Sequence, residues 1–404
     1  MRILYIVPFV PWPLRVRSYN LIPRLARRHE ICLLCLSGSA VEEARAHSLR
    51  EFCQEIRFVR HRKPRALWQC ALALATPVPL RMAYFASPGM RAAVRQAISE
   101  FSPDVIYIER WRALQYVPAR VQVPIICDPT DSMLLYNQRL LRTGSWWERV
   151  VGFEEYLKFL KHEAKLASRA SMVVFCSHVD LECVQKKAPA ARYAPVPNGV
   201  DCTAFFLKQA QEEEPNTIVF TGNFGYRPNR HAVRFFLDEV FPLIRRAIPL
   251  ARFMAVGSRA TRYLGSDSRN TPRVEVIDFV PELRPYIARA TVAVAPITVG
   301  AGVSNKLGES FATGTPVVAT HLACGDLPVR DGVHLLLADD PKMFAGKVVQ
   351  LFREPDLRRF LAMNARRFVE ATYDWEIVAG QMEGLMNEAV QGSVQSDIHM
   401  VSVA

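Results

Sequence analysis

Several absences narrow the function of this 404-residue chain before any motif is read. No uninterrupted apolar run reaches the ~18 residues that a membrane-spanning helix needs. The longest candidate, residues 66–80, is broken by Gln69 and two prolines. There is no cysteine framework: Cys32, Cys35, Cys53, Cys70, Cys127, Cys176, Cys183, Cys202 and Cys324 lie mostly in apolar runs, without paired metal-knuckle spacing. They read as reduced core residues of a cytosolic protein. Cys32 and Cys35 have Cys-x-x-Cys spacing but fall in a strand-like run, where positions three apart face opposite sides. The sequence also shows no aromatic-interleaved RNA platform and no recognition-helix motif, so no nucleic-acid partner is expected.

What is present fits a globular chain of two domains: 50% hydrophobic and 22% charged residues over a length that divides into halves of roughly 200. Cations are in excess, 51 Lys+Arg against 39 Asp+Glu, a formal charge of +12 that attracts phosphates or anionic lipid head groups. The opening MRILYIVPFV is too short for a signal-peptide core and runs into Pro11 and Pro13, so it reads as a first strand.

Short β-rich runs alternate with helix-length amphipathic segments, which predicts α/β architecture with two doubly wound parallel sheets. Strands are predicted at 2–7, 30–36, 56–59, 104–108, 123–127 and 172–176, with helices at 21–28, 40–53, 90–101 and 147–167. The break APVPNGVD at 194–201 places a domain boundary, because two prolines and Asn198-Gly199 suit neither helix nor strand interior. The pattern restarts with strands at 217–221, 252–256, 274–279, 292–296, 316–319 and 334–337, and helices at 231–247, 283–288, 306–312 and 341–351. The expected division is 1–195 and 196–372, then a helix at 373–390 returning to the first domain, and a disordered tail at 391–404.

Open α/β sheets bind ligands beyond the carboxyl ends of their strands, so the loops there hold the candidate residues. The richest is APITVGAGVSNKLGE, residues 295–309: Gly300, Ala301, Gly302, Val303 and Ser304, then a helix carrying Lys306 and Glu309. Glycines admit an oxyanion, Lys306 and the helix N-terminus suit a diphosphate, and Glu309 one turn on suits ribose hydroxyls. The bland alternative is a turn followed by a Lys–Glu pair on a solvated helix face. In FTGNFGYRPN, Gly222, Asn223 and Arg227 either reach the same phosphates or form a plain turn. In the first half, Arg17 and Asn20 follow the first strand and suit an anionic ligand or a surface loop alike. Asp128 and Asp131 follow the strand VPIIC, as cleft-facing carboxylates or as turn and capping residues. Glu109 at the end of DVIYIE is a weaker case, and His178 and His321 default to structural histidines.

On these residues the sequence resembles the retaining glycosyltransferases of family four, over nearly the whole chain. The resemblance rests on Pro13, Arg17 and Asn20 before LARRHE, on VPNGVD, on FTGNFGYRPN, on AVAPITVGAGVSNKLGESFATGTPVVAT and on ATYDWE. Within the family it is most similar to transferases of bacterial exopolysaccharide synthesis, through Asp128, Asp131 and Ser132. It implies a GT-B fold, two Rossmann-like domains across a cleft, with a nucleotide-diphosphate sugar held by Gly222, Asn223, residues 300–304, Lys306 and Glu309. It further implies acceptor contacts from the first domain, through Arg17, Asn20 and Asp128. Many members carry a second glutamate eight residues before the position of Glu309; Ala301 stands there. Many also have a glycine before the N-terminal arginine, which PWPLRVR lacks.

The sequence has no Asp-x-Asp, the spacing associated with metal-assisted transferases, so the expected reaction needs no metal or other cofactor. Lys306, Arg227 and helix dipoles would then stabilise the departing diphosphate, with Asp131 orienting the acceptor. The acceptor is expected to be a saccharide or polyprenyl-linked saccharide. The protein is expected to be cytoplasmic, peripheral at the inner face of the plasma membrane, with IRFVRHRKPR at 56–65 and Ala66, Leu67 and Trp68 as its membrane-facing patch. A catalytically silent nucleotide-binding protein, then a sugar-nucleotide epimerase, and last a nucleic-acid-binding protein that uses the basic charge are the other readings.

Overall fold

The computed structural model describes residues 1–299 and 305–401, with side chains described except at 143, 266–270 and 394–401. Contacts divide the chain into two units, residues 1–198 with 378–404, and residues 199–377.

The first unit is built on a parallel sheet of β1 (Arg2–Val7), β2 (Glu30–Ser37), β3 (Glu55–Arg60), β4 (Val105–Glu109), β5 (Ile125–Thr130), β6 (Met172–Phe175) and β7 (Tyr193–Pro195). Among the described residues its order is β3-β2-β1-β4-β5-β6-β7. The second unit contains β8 (Thr217–Thr221), β9 (Arg252–Val256), β10 (Val274–Ile277), β11 (Val292–Ala295), β12 (Val317–Ala319) and β13 (Leu336–Leu337), in the order β10-β9-β8-β11-β12-β13. Both are Rossmann-like, and in each the order reverses beside the first strand, at β1/β4 and at β8/β11. The central strands read as continuous apolar runs because helices cover both faces: Ile3 to Val7 and Ile31 to Cys35 are fully buried.

Local chemistry departs from the predicted elements in several places. The first helix starts earlier, at Val16, and runs to Leu25 through Pro23. The helix expected at 40–53 is a short turn, Ala40–Ala44, followed by a 3-10 turn at His47–Leu49. Further helices form at Lys63–Ala73 and Met133–Thr143, and the helix expected from 231 begins at Arg227, with Pro228 in its first turn. β5 continues through Asp128-Pro129 to Thr130 with a register shift against β6, the irregularity by which a proline is accommodated inside a sheet. Thr130 there takes φ +72, strained for a β-branched residue.

The Asn198-Gly199 turn has a packing reason. A Cβ on Gly199 would stand 2.7 Å from the Trp375 ring, and Val200 exchanges backbone hydrogen bonds with Tyr373 and Trp375. From Trp375 one helix runs to Val401, and from Val378 onward it belongs to the first unit, where His29 bonds Glu383 at 3.0 Å. The helix passes through residues 391–401, read from sequence as a disordered tail; after Gly392 no glycine or proline interrupts that stretch.

Among the described residues no helix is long and apolar enough to cross a membrane, and no His, Cys, Asp and Glu cluster forms a metal-ligating group.

Candidate functional site

In the second unit the carboxyl ends of β8, β9 and β11 bring together residues far apart in sequence. β8 ends at Thr221, and the Gly222 amide donates to the Val256 carbonyl of β9 at 3.0 Å. Space here is tight: a Cβ on Gly222 would lie 2.9 Å from Asn229 Nδ2, and one on Gly257, at φ +140, would lie 2.1 Å from the Gly222 carbonyl. At 257 only glycine lets the two strand ends converge, and at 222 a side chain would push the Asn229 amide aside.

Asn229, buried in the first turn of that helix, organises the loop. Its Nδ2 donates to the Asn223 carbonyl at 2.9 Å, and its Oδ1 accepts from Lys306 Nζ at 3.2 Å. Asn223 Oδ1 in turn accepts from the Gly225 amide at 2.8 Å. Lys306 Nζ also stands 4.9 Å above the Phe220 ring. Burial pulls the Lys306 ammonium down to about 8, with Glu309 acting in the opposite direction. Burial raises the Glu309 carboxyl, opposed by Lys306 and by a hydrogen bond from Thr221. Lys306 and Glu309 both belong to the helix Asn305–Thr313 and are half-buried, so they are not a pair on a solvated face. A cation partly stripped of water and a carboxylate one turn away suit a phosphate and a hydroxylated ring.

Besides the role of Asn229, three contributors escaped sequence reading. Arg230 Nη1 donates to the carbonyls of Phe224 and Gly225 at 2.8 and 3.0 Å, fastening the loop from within the helix. Arg259, at φ +64 beyond β9, lies against Gly225. His231 Nδ1 meets Thr298 Oγ1 at 2.9 Å, joining the helix to the loop after β11. No motif announces these; the available signal is only that each follows a strand end. Arg227 is the first residue of its helix. Gly300, Ala301, Gly302, Val303 and Ser304 lie outside the described residues.

In the first unit Arg17 and Asp128 are both buried and form an ion pair, with the Tyr107 hydroxyl on the same carboxylate oxygen. Arg17 Nη1 continues to the Pro197 carbonyl at 3.1 Å and Asn198 Oδ1 at 3.2 Å. Together these contacts brace the carboxyl edge of the sheet. Asn20 bonds within its own helix, to the Val16 carbonyl at 2.7 Å. Asp131 is 51% exposed and takes Arg110 Nη1 at 3.1 Å. Glu109 at the end of β4 is buried, with Oε2 unpartnered among the described residues, and burial pushes its carboxyl up to about 7 against the pull of Arg110. His178 opens a helix, and His321 pairs with Asp339 at 2.7 Å. Of the basic patch at 56–65, Ile56 to Arg60 form the edge strand β3, where Arg57 pairs with Glu55 and Glu100, and Arg60 with Glu43.

Comparison with known proteins fits this geometry. Residues 215–354, which contain the 222–230 loop, Lys306 and Glu309, match the family model described as Glycosyl transferases group 1. The phosphatidyl-myo-inositol mannosyltransferase of Mycobacterium tuberculosis is 28% identical over 220 residues, 52% of this chain and 57% of that enzyme. The chain thus spans little more than half the length of the curated relatives it matches. Among solved structures, sucrose-phosphate synthase from Thermosynechococcus elongatus aligns with a TM-score of 0.72 at 17% identity, covering 97% of this chain and 100% of that one. HepE from Anabaena, in complex with UDP and glucose, aligns at 0.69 and 15% identity over 96% and 100%. These likenesses establish the GT-B fold with its two Rossmann-like domains.

Proposed function

We propose that this chain, whose residues 215–354 match the group 1 glycosyltransferase model, is an enzyme that moves a sugar from a nucleotide-diphosphate donor to a saccharide or lipid-linked saccharide. The observation that carries the reading is the Asn229–Lys306–Glu309 arrangement at the carboxyl ends of β8 and β11, inside the matched segment. Lys306, Arg227 and the helix N-termini offset the charge that builds on the departing diphosphate, and Glu309 accepts hydrogen bonds from the ribose. The reaction runs without a metal, and the acceptor attacks the face from which the diphosphate leaves, so configuration is retained. Asp131, exposed and held by Arg110, orients the acceptor hydroxyl. UDP bound to HepE supports a nucleotide donor, and the phosphatidyl-myo-inositol mannosyltransferase supports a lipid-borne acceptor. We place the enzyme in exopolysaccharide synthesis, cytoplasmic and peripheral at the inner face of the plasma membrane.

The test is calorimetry with uridine, guanosine and adenosine diphosphates and their sugar conjugates, on the intact chain and on Glu309→Ala. Selective binding that the substitution abolishes supports the donor site; binding equal in both proteins overturns it. Ala301 favours one second reading, a nucleotide binder without turnover. That reading holds if donor binds tightly but no sugar is released or transferred with any lipid-linked or free saccharide.

A further inference from the structure

We infer that the outward faces of the helices Lys63–Ala73 and Trp146–Ala167, in the first unit, form a surface that inserts into an anionic lipid membrane. The inference rests on the membrane-associated reading above and locates its contact.

The Trp146–Ala167 helix is amphipathic in the reverse of the usual sense. Its inward positions, Gly152, Glu155, Phe159, Glu163 and Leu166, include two fully buried carboxylates. Glu155 accepts from the Arg81 amide at 2.9 Å and Glu163 from the Ser132 hydroxyl at 2.9 Å, so both are fixed inward by hydrogen bonds. The opposite stripe, Trp146, Val150, Phe153 and Leu157, follows i, i+4, i+7 and i+11, and Trp147 and Val151 widen it. Trp146 is 79% exposed and Phe153 54%. The exposed charges of this helix, Arg149, Lys161 and Lys165, lie at the margins of that stripe.

The Lys63–Ala73 helix extends this surface. Leu67, Trp68 and Leu72 on it, and Leu74 just beyond, are exposed, Trp68 at 64%. Lys158 Nζ donates to the Ala73 carbonyl at 2.7 Å, so the end of this helix is tied to the other. Three of the six tryptophans in the chain are thus presented to solvent on two joined helices. Apolar patches of this kind mark interaction sites, and indole prefers the boundary between hydrocarbon and head groups.

The border of the surface selects the occupant. Arg62, Lys63, Arg65, Arg149, Lys161 and Lys165 are exposed around it. The acidic side chains there are already engaged, Glu154 with Lys158 and Glu148 with the Ser145 amide. A second copy docked on this face would set one cationic border against another. Anionic phospholipids neutralise such a border while their acyl region takes up the aromatic rings.

The experiment is flotation of the full chain with vesicles of equal parts phosphatidylglycerol and phosphatidylcholine, or of phosphatidylcholine alone, at low and high salt. It is run for the natural protein and for a Trp68→Ser, Trp146→Ser, Trp147→Ser variant whose melting curve and circular dichroism match it. The expected result is binding to the anionic vesicles, weakened by salt, and lower by at least about tenfold in the variant. Brominated acyl chains should quench the natural protein's fluorescence and leave the variant's unchanged. Equal binding of both proteins would overturn the surface assignment and leave membrane attachment standing. No binding by the natural protein would overturn both. A natural dimer that the variant converts to monomer would show that a second copy covers this face, and would overturn the inference.

Discussion

The guanidinium of Arg17 and the carboxylate of Asp128, 111 residues apart in sequence, meet as a buried ion pair at the carboxyl edge of the first sheet. Both side chains are buried, and one Arg17 nitrogen and one Asp128 oxygen lack partners among the described residues. Removing one charge strands the other: Asp128→Ala should destabilise the chain by about 3–5 kcal/mol, read by chemical denaturation. The double variant Arg17→Met, Asp128→Leu should recover most of that loss, because the pair's desolvation cost vanishes with it.

Gly222→Ala tests the donor site without touching a charge. The added methyl group would press on the Asn229 amide, 2.9 Å away, and displace the partner of Lys306. Nucleotide affinity should fall about tenfold, with the melting temperature within a few degrees of the natural protein. Unchanged affinity would mean that Asn229 does not position Lys306 for the donor.

Lys306 sets an alkaline limit on binding. Its ammonium releases its proton near pH 8 rather than at the usual 10.5, so the charge facing a diphosphate is present at neutral pH and lost as pH rises through about 8. Affinity for a nucleoside diphosphate should fall over that interval in calorimetric titrations. Lys306→Arg, whose charge persists, should bind with a flat profile over the same range, whatever its absolute affinity.

Glu109 gives a signature in stability rather than in binding. The folded carboxyl keeps its proton to about pH 7, against an ordinary 4.5, so its contribution is favourable at low pH and is lost as pH rises through 7. Glu109→Gln should match the natural protein near pH 4.5 and exceed it by roughly 2–3 kcal/mol at pH 8. Parallel denaturation curves at several pH values would decide it.

The sheets were legible in the sequence because parallel strands buried on both faces leave uninterrupted apolar runs, as in RILYIV and EICLLCLS. Lys306 and Glu309 were legible as a spacing, since helical periodicity places residues three apart on one side. Asn229, Arg230 and Arg259 were not, because their roles depend on convergence of β8 and β9 through two glycines. The buried pairing of Asp128 was not legible, because nothing local to Asp-Pro-Thr-Asp signals an arginine that follows β1, on the far side of β4. The Lys63–Ala73 helix escaped because Leu67, Trp68 and Leu72 face outward, which hides the polar stripe that marks a water-facing helix.

The helix Trp375–Val401 begins in one unit and ends in the other, so residues 199–377 are, in genetic terms, an insertion into a host domain. A graft of the donor-binding half between related transferases therefore needs two junctions. The first falls at the Asn198-Gly199 turn, whose length is held by the packing of Gly199 on Trp375 and the hydrogen bond from Arg17 to Asn198. The second falls inside a continuous helix, where one residue gained or lost turns everything after it by about 100°. Chimeras should succeed or fail on the register of that second seam, however similar the exchanged halves are.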